Sequence, residues 1–329
     1  MNMSGTQSVA TTWKGFESAE RVGMKSGVQR YWQTARLAVG LAFLAAAQVG
    51  YSESDLHVES VPVDNQSASQ SAQEIQVDTR NGLWFPVGET LHYTVYWGVV
   101  PVAHSTASTE WIEEDGKRLL VVRFRTRSNK VLRKIYPVDD TLESVIDPET
   151  FLPVRFSKQL NEGRYHCDEV TVFDRSTLKA TWTKNTNGEK REYAINPNTR
   201  DLISFMYVMR TQEPEVGNRQ KYRVMADEKL YDLWVESEAK EIVNLERFGD
   251  VNSIRLEPEA AFEGLFVRKG KMKLWVSDDD RRIITRASVK VPVASVNIKL
   301  NKVTGPGDDV WVNPIDGKRV KKKSRRKRR

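Results

Sequence analysis

Few residues in this 329-residue chain have the type and spacing to do chemistry. The densest carboxylate group is Asp278-Asp279-Asp280, and clustered carboxylates are what a hard cation such as Ca²⁺ takes. The run lacks the alternating spacing and distal bidentate Glu of a calcium loop. It reads instead as the turn of a hairpin over residues 271–290 (KMKLWVSDDDRRIITRASVK). Asp139-Asp140 with Glu143 has the composition of an acid/base pair, as in glycoside hydrolysis. On a strand, however, adjacent side chains point to opposite faces, which parts Asp139 from Asp140. The same objection removes Cys167 with His166, and Ser105 with His104, as nucleophile and base. No Gly-x-Ser-x-Gly stretch is present, and one cysteine with four scattered histidines (His57, His92, His104, His166) gives no metal-ligand spacing. The expectation is a non-enzymatic chain with no catalytic residue, no metal site and no cofactor.

Two other sets of residues point to binding. Tyr93, Trp97, Trp111, Phe124, Phe156, Trp182, Trp234 and Trp275 fall on separate predicted strands. If those strands close an open barrel, these side chains line an apolar lumen fit for a lipid acyl chain or another amphiphile. The alternative is that they fill the core. The second set is the basic end, with Lys321, Lys322, Lys323, Arg325, Arg326, Lys327, Arg328 and Arg329. Residues 318–329 carry ten positive charges, so the net charge of +7 less these ten leaves −3 for the rest. The run has the pattern of a nucleic-acid patch. In an exported chain the available polyanions are lipopolysaccharide phosphates, anionic headgroups and wall polymers, held by salt-sensitive attraction. An anionic envelope surface is therefore the expected partner and nucleic acid is not; a solubilising end is the other reading.

Export is read from residues 37–47, about eleven apolar residues behind Lys25, Arg30 and Arg36. That is too short to span a membrane and fits the core of a signal peptide, with Ala45-Ala46-Ala47 before Gln48 as the cleavage site. Residues 1–50 are thus a signal peptide with an extended n-region, or a shorter leader starting at Met24. The expected location is the periplasm, reached through a cleaved signal peptide; an uncleaved N-terminal membrane anchor is the alternative. Residues 51–80, rich in Ser, Gln and acidic side chains, form a disordered linker. Residues 81–304 form the folded domain, and 305–329 a basic disordered tail.

Within the domain the pattern is that of strands. Leu91, Tyr93, Val95 and Trp97 alternate with His92, Thr94 and Tyr96, and Gly98 and Pro101 break the run before a second strand. Runs of about eight residues with turn signals every ten or so continue through 118–127, 139–146, 151–160, 165–173, 177–184 and 189–195. Ser128 is placed to cap a short helix carrying Val131, Leu132 and Ile135. Leu202, Phe205, Met206 and Met209 have helical spacing, so residues 197–211 form an amphipathic helix capped by Asn198 or Thr199, with Asp201 in its first turn. Strands resume from Gln220 to Val303. The fold class is all-β, mainly antiparallel: a large curved or barrel-like meander of roughly 12–15 strands with one or two short helices.

Several landmarks in order resemble one family. FPVGETLHYTVYWG (85–98), IYPVDDTLESVIDPETFLPVRF (135–156), RDLISFMYVMR (200–210) and GKMKLWVSDDDRRIITRASVKVPVASVNIKL (270–300) are similar to the blocks of domain-of-unknown-function family 3108, found in exported proteins of Gram-negative bacteria. Ile284 departs from the pattern, standing where proline is expected. The resemblance implies an antiparallel barrel-like fold akin to periplasmic lipid and lipoprotein carriers, and it assigns no catalytic residue. Three functions follow as expectations. The chain binds an amphiphile or an envelope component, or it is an assembly module for an envelope protein, or it is a hydrolase of unrecognised type. A hollow lumen favours the first and a filled lumen the second.

Overall fold

The structure is a computed structural model that describes residues 82–211, 215–226, 228–262, 265–266, 272–290, 295–306, 311–313 and 318–320. The period-2 alternation becomes a single sheet of sixteen strands. Eight form a first meander: β1 (Thr90–Trp97), β2 (Val100–Glu114), β3 (Lys117–Ser128), β4 (Asp139–Ile146), β5 (Pro153–Glu162), β6 (Tyr165–Asp174), β7 (Lys179–Lys184) and β8 (Glu189–Ala194). Each is antiparallel to the one before it. The two-residue β9 (Arg200–Asp201) leads into the helix α1 (Leu202–Val208). A second meander follows: β10 (Arg219–Ala226), β11 (Lys229–Leu245), β12 (Gly249–Phe262), β13 (Leu265–Phe266), β14 (Met272–Ser277), β15 (Ile284–Lys290) and β16 (Ser295–Thr304). Because β16 pairs with β1, the two meanders join in the middle of the sheet, and β8 and β9 lie at its two ends.

The register fixes which side chains share a face. Val95 pairs with Ala103 on β2 and with Ile298 on β16, Ile298 pairs with Ala287, and Ala287 with Leu274. All of these are buried, so this is the inner face. The intervening residues Thr94, Lys299 and Arg286 belong to the outer face. Irregularities in pairing at His92/Tyr93, Val95/Tyr96, Ser237/Ala239 and Trp275/Val276 bend the strands where they occur.

All seven residues of α1 are buried. Its Phe205 meets Tyr222 of β10 edge-on at 4.9 Å, and its Tyr207 meets Phe85 at 4.9 Å. The helix therefore fills the space that the curved sheet encloses. Burial of each large apolar side chain contributes on the order of 1.5–3 kcal/mol, which is why so short a helix persists. The ends of the sheet approach each other without a ladder between β8 and β10. They are held by a small cluster of Phe173, Ala180, Ile195 and Met225, and by an ion pair from Arg191 to Glu228 at 2.5 Å.

The all-β class, the antiparallel pairing and the curved form match the sequence reading, and sixteen strands exceed the expected 12–15 because β9 and β13 are only two residues long. Three local expectations are corrected. The α1 cap is Asp201, not Asn198 or Thr199: its Oδ1 accepts from Ser204 N at 2.7 Å, and Thr199 Oγ1 instead accepts from Asn196 N in the preceding turn. Ser128 caps no helix; it ends β3, and its Oγ accepts from Val138 N at 3.0 Å. Asn129 Oδ1 does that work, accepting from Val131 N and Leu132 N to start a single 3-10 turn, Leu132–Lys134. Third, the stretch assigned to a disordered tail contains a two-stranded hairpin, β17 (Trp311–Asn313) with β18 (Lys318–Val320). The leader, the linker to residue 80 and Lys321, Lys322, Lys323, Arg325, Arg326, Lys327, Arg328 and Arg329 lie outside the described residues.

Candidate functional site

The strongest polar feature inside the sheet is built around Glu89, which is fully buried. It precedes β1, in a turn where Gly88 N donates to Thr109 O and to Thr109 Oγ1, both at 3.0 Å. A methyl on Gly305 would collide with the Gly88 carbonyl oxygen, so the close approach of the two chain segments needs glycine there. Arg210, just past α1, reaches Glu89 Oε1 at 2.9 Å, and Arg281 reaches Oε2 at 3.2 Å. Arg210 also donates to the carbonyls of Arg281 at 3.1 Å and Arg282 at 3.2 Å. Its guanidinium lies 4.9 Å from the Tyr207 ring centroid and 5.2 Å from that of Phe85. Burial pulls the Arg210 pKa down, but Glu89 and the neighbouring tyrosines more than offset this, so it is held above the usual value. At the other end of α1, Asp201 Oδ2 accepts from Ser144 Oγ of β4 at 2.5 Å, and burial pushes its carboxyl pKa up. The helix is thus tied at both ends through buried carboxyl groups.

The second feature is a small pocket at the seam where the sheet ends meet. Phe156, Phe173, Trp182 and Met225 give it apolar walls. Lys158 and Glu169 supply a nearly buried ion pair at 2.8 Å, and Trp182 Nε1 donates to Glu169 Oε2 at 3.3 Å. Burial raises the Glu169 pKa, but the Lys158 ammonium outweighs it and the carboxyl stays below its usual range. The pocket has about 20 Å³ open to the centre of a water, which is room for a water molecule or two. Beside it, burial pushes the Cys167 thiol up to about 12, so the thiolate that a nucleophile needs is disfavoured. His166 turns the other way, to Asn161 at 3.0 Å.

The aromatic set divides. Tyr93, Phe124, Phe156 and Trp182 sit on the inner face, but Tyr93 and Phe124 are packed into the core, and only Phe156 and Trp182 meet at the pocket. Trp97 is half-buried against the core edge, and Trp111 stands at the rim under Arg118, 4.0 Å from the ring. Trp234 and Trp275 take the outer phase of their strands, Trp234 half-buried and Trp275 buried within the core cluster. Leu233 and Val235 of β11 and Leu274 of β14 hold the inner positions, which turns both tryptophans outward. Outside, Arg219 and Lys221 lie over Trp234 at 4.7 and 5.5 Å. Trp275 Nε1 donates to Glu241 at 2.7 Å, and Arg286 lies 4.5 Å over its ring.

The acidic sets also resolve. Asp279 braces its turn, accepting from Ser277 Oγ at 2.7 Å, Arg282 N at 3.0 Å and Arg281 N at 3.1 Å, while Asp278 pairs with Lys240. Asp139 faces outward to Arg125 and Arg127, and Glu143 to Arg123. Sequence reasoning missed the pair that does form. Asp140 and Glu162 are both buried, brought together because Val138 pairs with Glu162 and Thr141 with Gln159. Burial pushes the Asp140 carboxyl up to about 6, against hydrogen bonds from Asn161 N and Glu162 that lower it. The only signal was parity: positions 140 and 162 share the inward phase of their strands.

The geometry defines an all-β protein whose curved sheet is plugged by its own helix. The family model for DUF3108, described as a protein of unknown function, matches residues 92–301, and the chain belongs to that family. A search of curated proteins gave no match. Among solved structures, the chain is similar to a β-barrel-like protein of the domain of unknown function DUF1849 from Brucella abortus. That likeness is at 10% identity and a TM-score of 0.45, over 66% of this chain and 97% of the other.

Proposed function

We propose that this chain is an exported, non-enzymatic protein of the cell envelope that binds an envelope component through its outer surface. The observation that carries this reading is that, among the described residues, α1 is wholly buried against the inner face of the sheet. Lumens that hold lipid-sized ligands run to several hundred Å³, on the order of 300–1,000 Å³. Here α1, pinned by Glu89 and Asp201, occupies the corresponding space. Export is supported by the apolar run 37–47 behind basic residues. The non-enzymatic reading is supported by the dispersal of the candidate acids, bases and nucleophiles onto opposite faces. An assembly role for an envelope protein fits the same plugged architecture.

A second reading, an amphiphile held inside, has one observation in its favour. The seam pocket is closed by side chains rather than by a ladder, so parting β8 from the β10–β11 turn would enlarge it between Phe156 and Trp182. Native mass spectrometry with lipid extraction, on protein purified from the periplasm of its own host, separates the two. A clean protein mass is expected. A stoichiometric lipid or other amphiphile would overturn the surface reading in favour of the seam.

A further inference from the structure

We propose that one end of the barrel-like sheet is a docking tip for an anionic lipid bilayer. This rests on the reading that the protein works through its surface at the envelope, and it names the surface. Three of the four connections at one end of the first meander lie side by side: the β1–β2 turn with the first residues of β2 (98–101), the segment between β3 and β4 (129–137) and the β5–β6 turn with the first residues of β6 (163–166). They are bound to one another. Asn129 N donates to Val102 O at 2.9 Å, Asn129 Nδ2 to Pro101 O at 2.6 Å, and Gly163 N to Pro137 O at 2.8 Å. Tyr136 packs against Gly163 so closely that a Cβ there would meet its ring at 2.9 Å.

Charge and apolar exposure coincide on this end. Val99 is 90% exposed, Val131 57%, Val100 55%, and Ile135 and Tyr165 46% each. These are five of the ten large hydrophobic side chains that are exposed among the described residues, so the concentration is local. Lys130, Arg133, Lys134 and Arg164 are exposed among them, and the three segments contain no Asp or Glu. None of the four cations makes an ion pair with the described residues, whereas many arginines on the strands are paired across the sheet. Apolar tips that enter the headgroup region, ringed by cations that meet its phosphates, are the composition of an interfacial anchor. A protein partner would not require unpaired cations on two of the three segments. The Asn129 bonds and the buried β3–β4 framework hold the tip rigid, so little ordering is needed on contact.

The test places an environment-sensitive dye on Val99→Cys in the full chain as its host processes it. The native Cys167 is buried and stays unlabelled. Phosphatidylethanolamine–phosphatidylglycerol vesicles should shift the emission to the blue, and neutral phosphatidylcholine vesicles should leave it unchanged. The same dye on Lys117→Cys, at the exposed start of β3 on the opposite end, should not respond. Charge reversal at Lys130, Arg133 and Lys134 should weaken the response on the order of tenfold or more. Val131→Ser with Ile135→Ser should leave a weaker response that is abolished at about 1 M salt, where screening removes the electrostatic part. All of these sites are exposed, and an unchanged thermal midpoint shows that each variant is folded. An equal shift at position 117, or full affinity after charge reversal, would overturn the tip. So would a shift without vesicles that grows with protein concentration, which would mark a second copy as the occupant. A protein that sediments with vesicles while position 99 stays silent would end this proposal and leave the surface reading standing.

Discussion

Glu89 and Asp140 are both buried carboxyl groups, and their surroundings are opposite. Glu89 lies between two guanidiniums, those of Arg210 and Arg281. Asp140 faces a second carboxyl, Glu162, whereas Asp139 beside it on the outer face takes Arg125 and Arg127. Taking a charge out of water costs several kcal/mol unless a partner offsets it. The first group is therefore held between two cations, a contact that fastens α1 to the chain before β1 and to the β14–β15 turn. The second avoids the cost by keeping its proton to higher pH. The contrast teaches that burial alone does not set the role of an acid; the charge facing it does.

The largest break in that contrast comes from Arg210→Met. It leaves Glu89 with one partner and strips two backbone carbonyls of theirs, so stability in urea denaturation should fall by about 3–5 kcal/mol. The double variant with Glu89→Gln should recover part of that loss; if it loses more, the pair is not acting as a unit. Next comes Asp201→Ala, which removes both the helix cap and the bond from Ser144. A loss of about 1–3 kcal/mol is expected, read from the same transition.

Asp140→Asn should act in the opposite direction. With its pKa raised to about 6 in the folded protein, ionised Asp140 opposes folding above that pH. The penalty shrinks as pH falls through about 6 and is gone below the ordinary Asp value near 3.8. The variant keeps the acceptor for Asn161 N and should gain roughly 1–2 kcal/mol at pH 7.5, with less pH dependence between 4 and 6. A loss of stability at pH 7.5 would show that Asp140 is charged and paired after all. The smallest effect belongs to Glu143→Gln, on the outer face opposite Arg123. Solvent screens that pair, and the thermal midpoint should correspond to a change within about 0.5 kcal/mol.

Strand existence was legible because each strand buries one face, which forces the alternation to show in the residues themselves. Helix α1 was legible from Leu202, Phe205 and Met206 for the same reason. Faces were harder. Trp234 has the size expected of a core residue, yet Leu233 takes the inner phase, and only the register tells which phase is inside. Asp139 and Asp140 were separated correctly by parity. The partner of Asp140 is 22 positions along the chain and is brought in by the β4–β5 pairing, a long-range choice that no local pattern encodes. Arg281 of the β14–β15 turn likewise reaches Glu89 only through tertiary contact.

The pairing of β1 with β16 also bears on time. Thr90 and Thr304 meet across 214 residues, whereas β2 through β8 need only neighbouring hairpins. Loop closure of that length is slow, so the first meander can form while β1 still lacks a partner on one side. Until the last strand arrives, β1 offers a bare line of backbone donors and acceptors, the part of a nascent chain most prone to pair with another molecule. The final strand is therefore the one that ends the chain's exposure to aggregation.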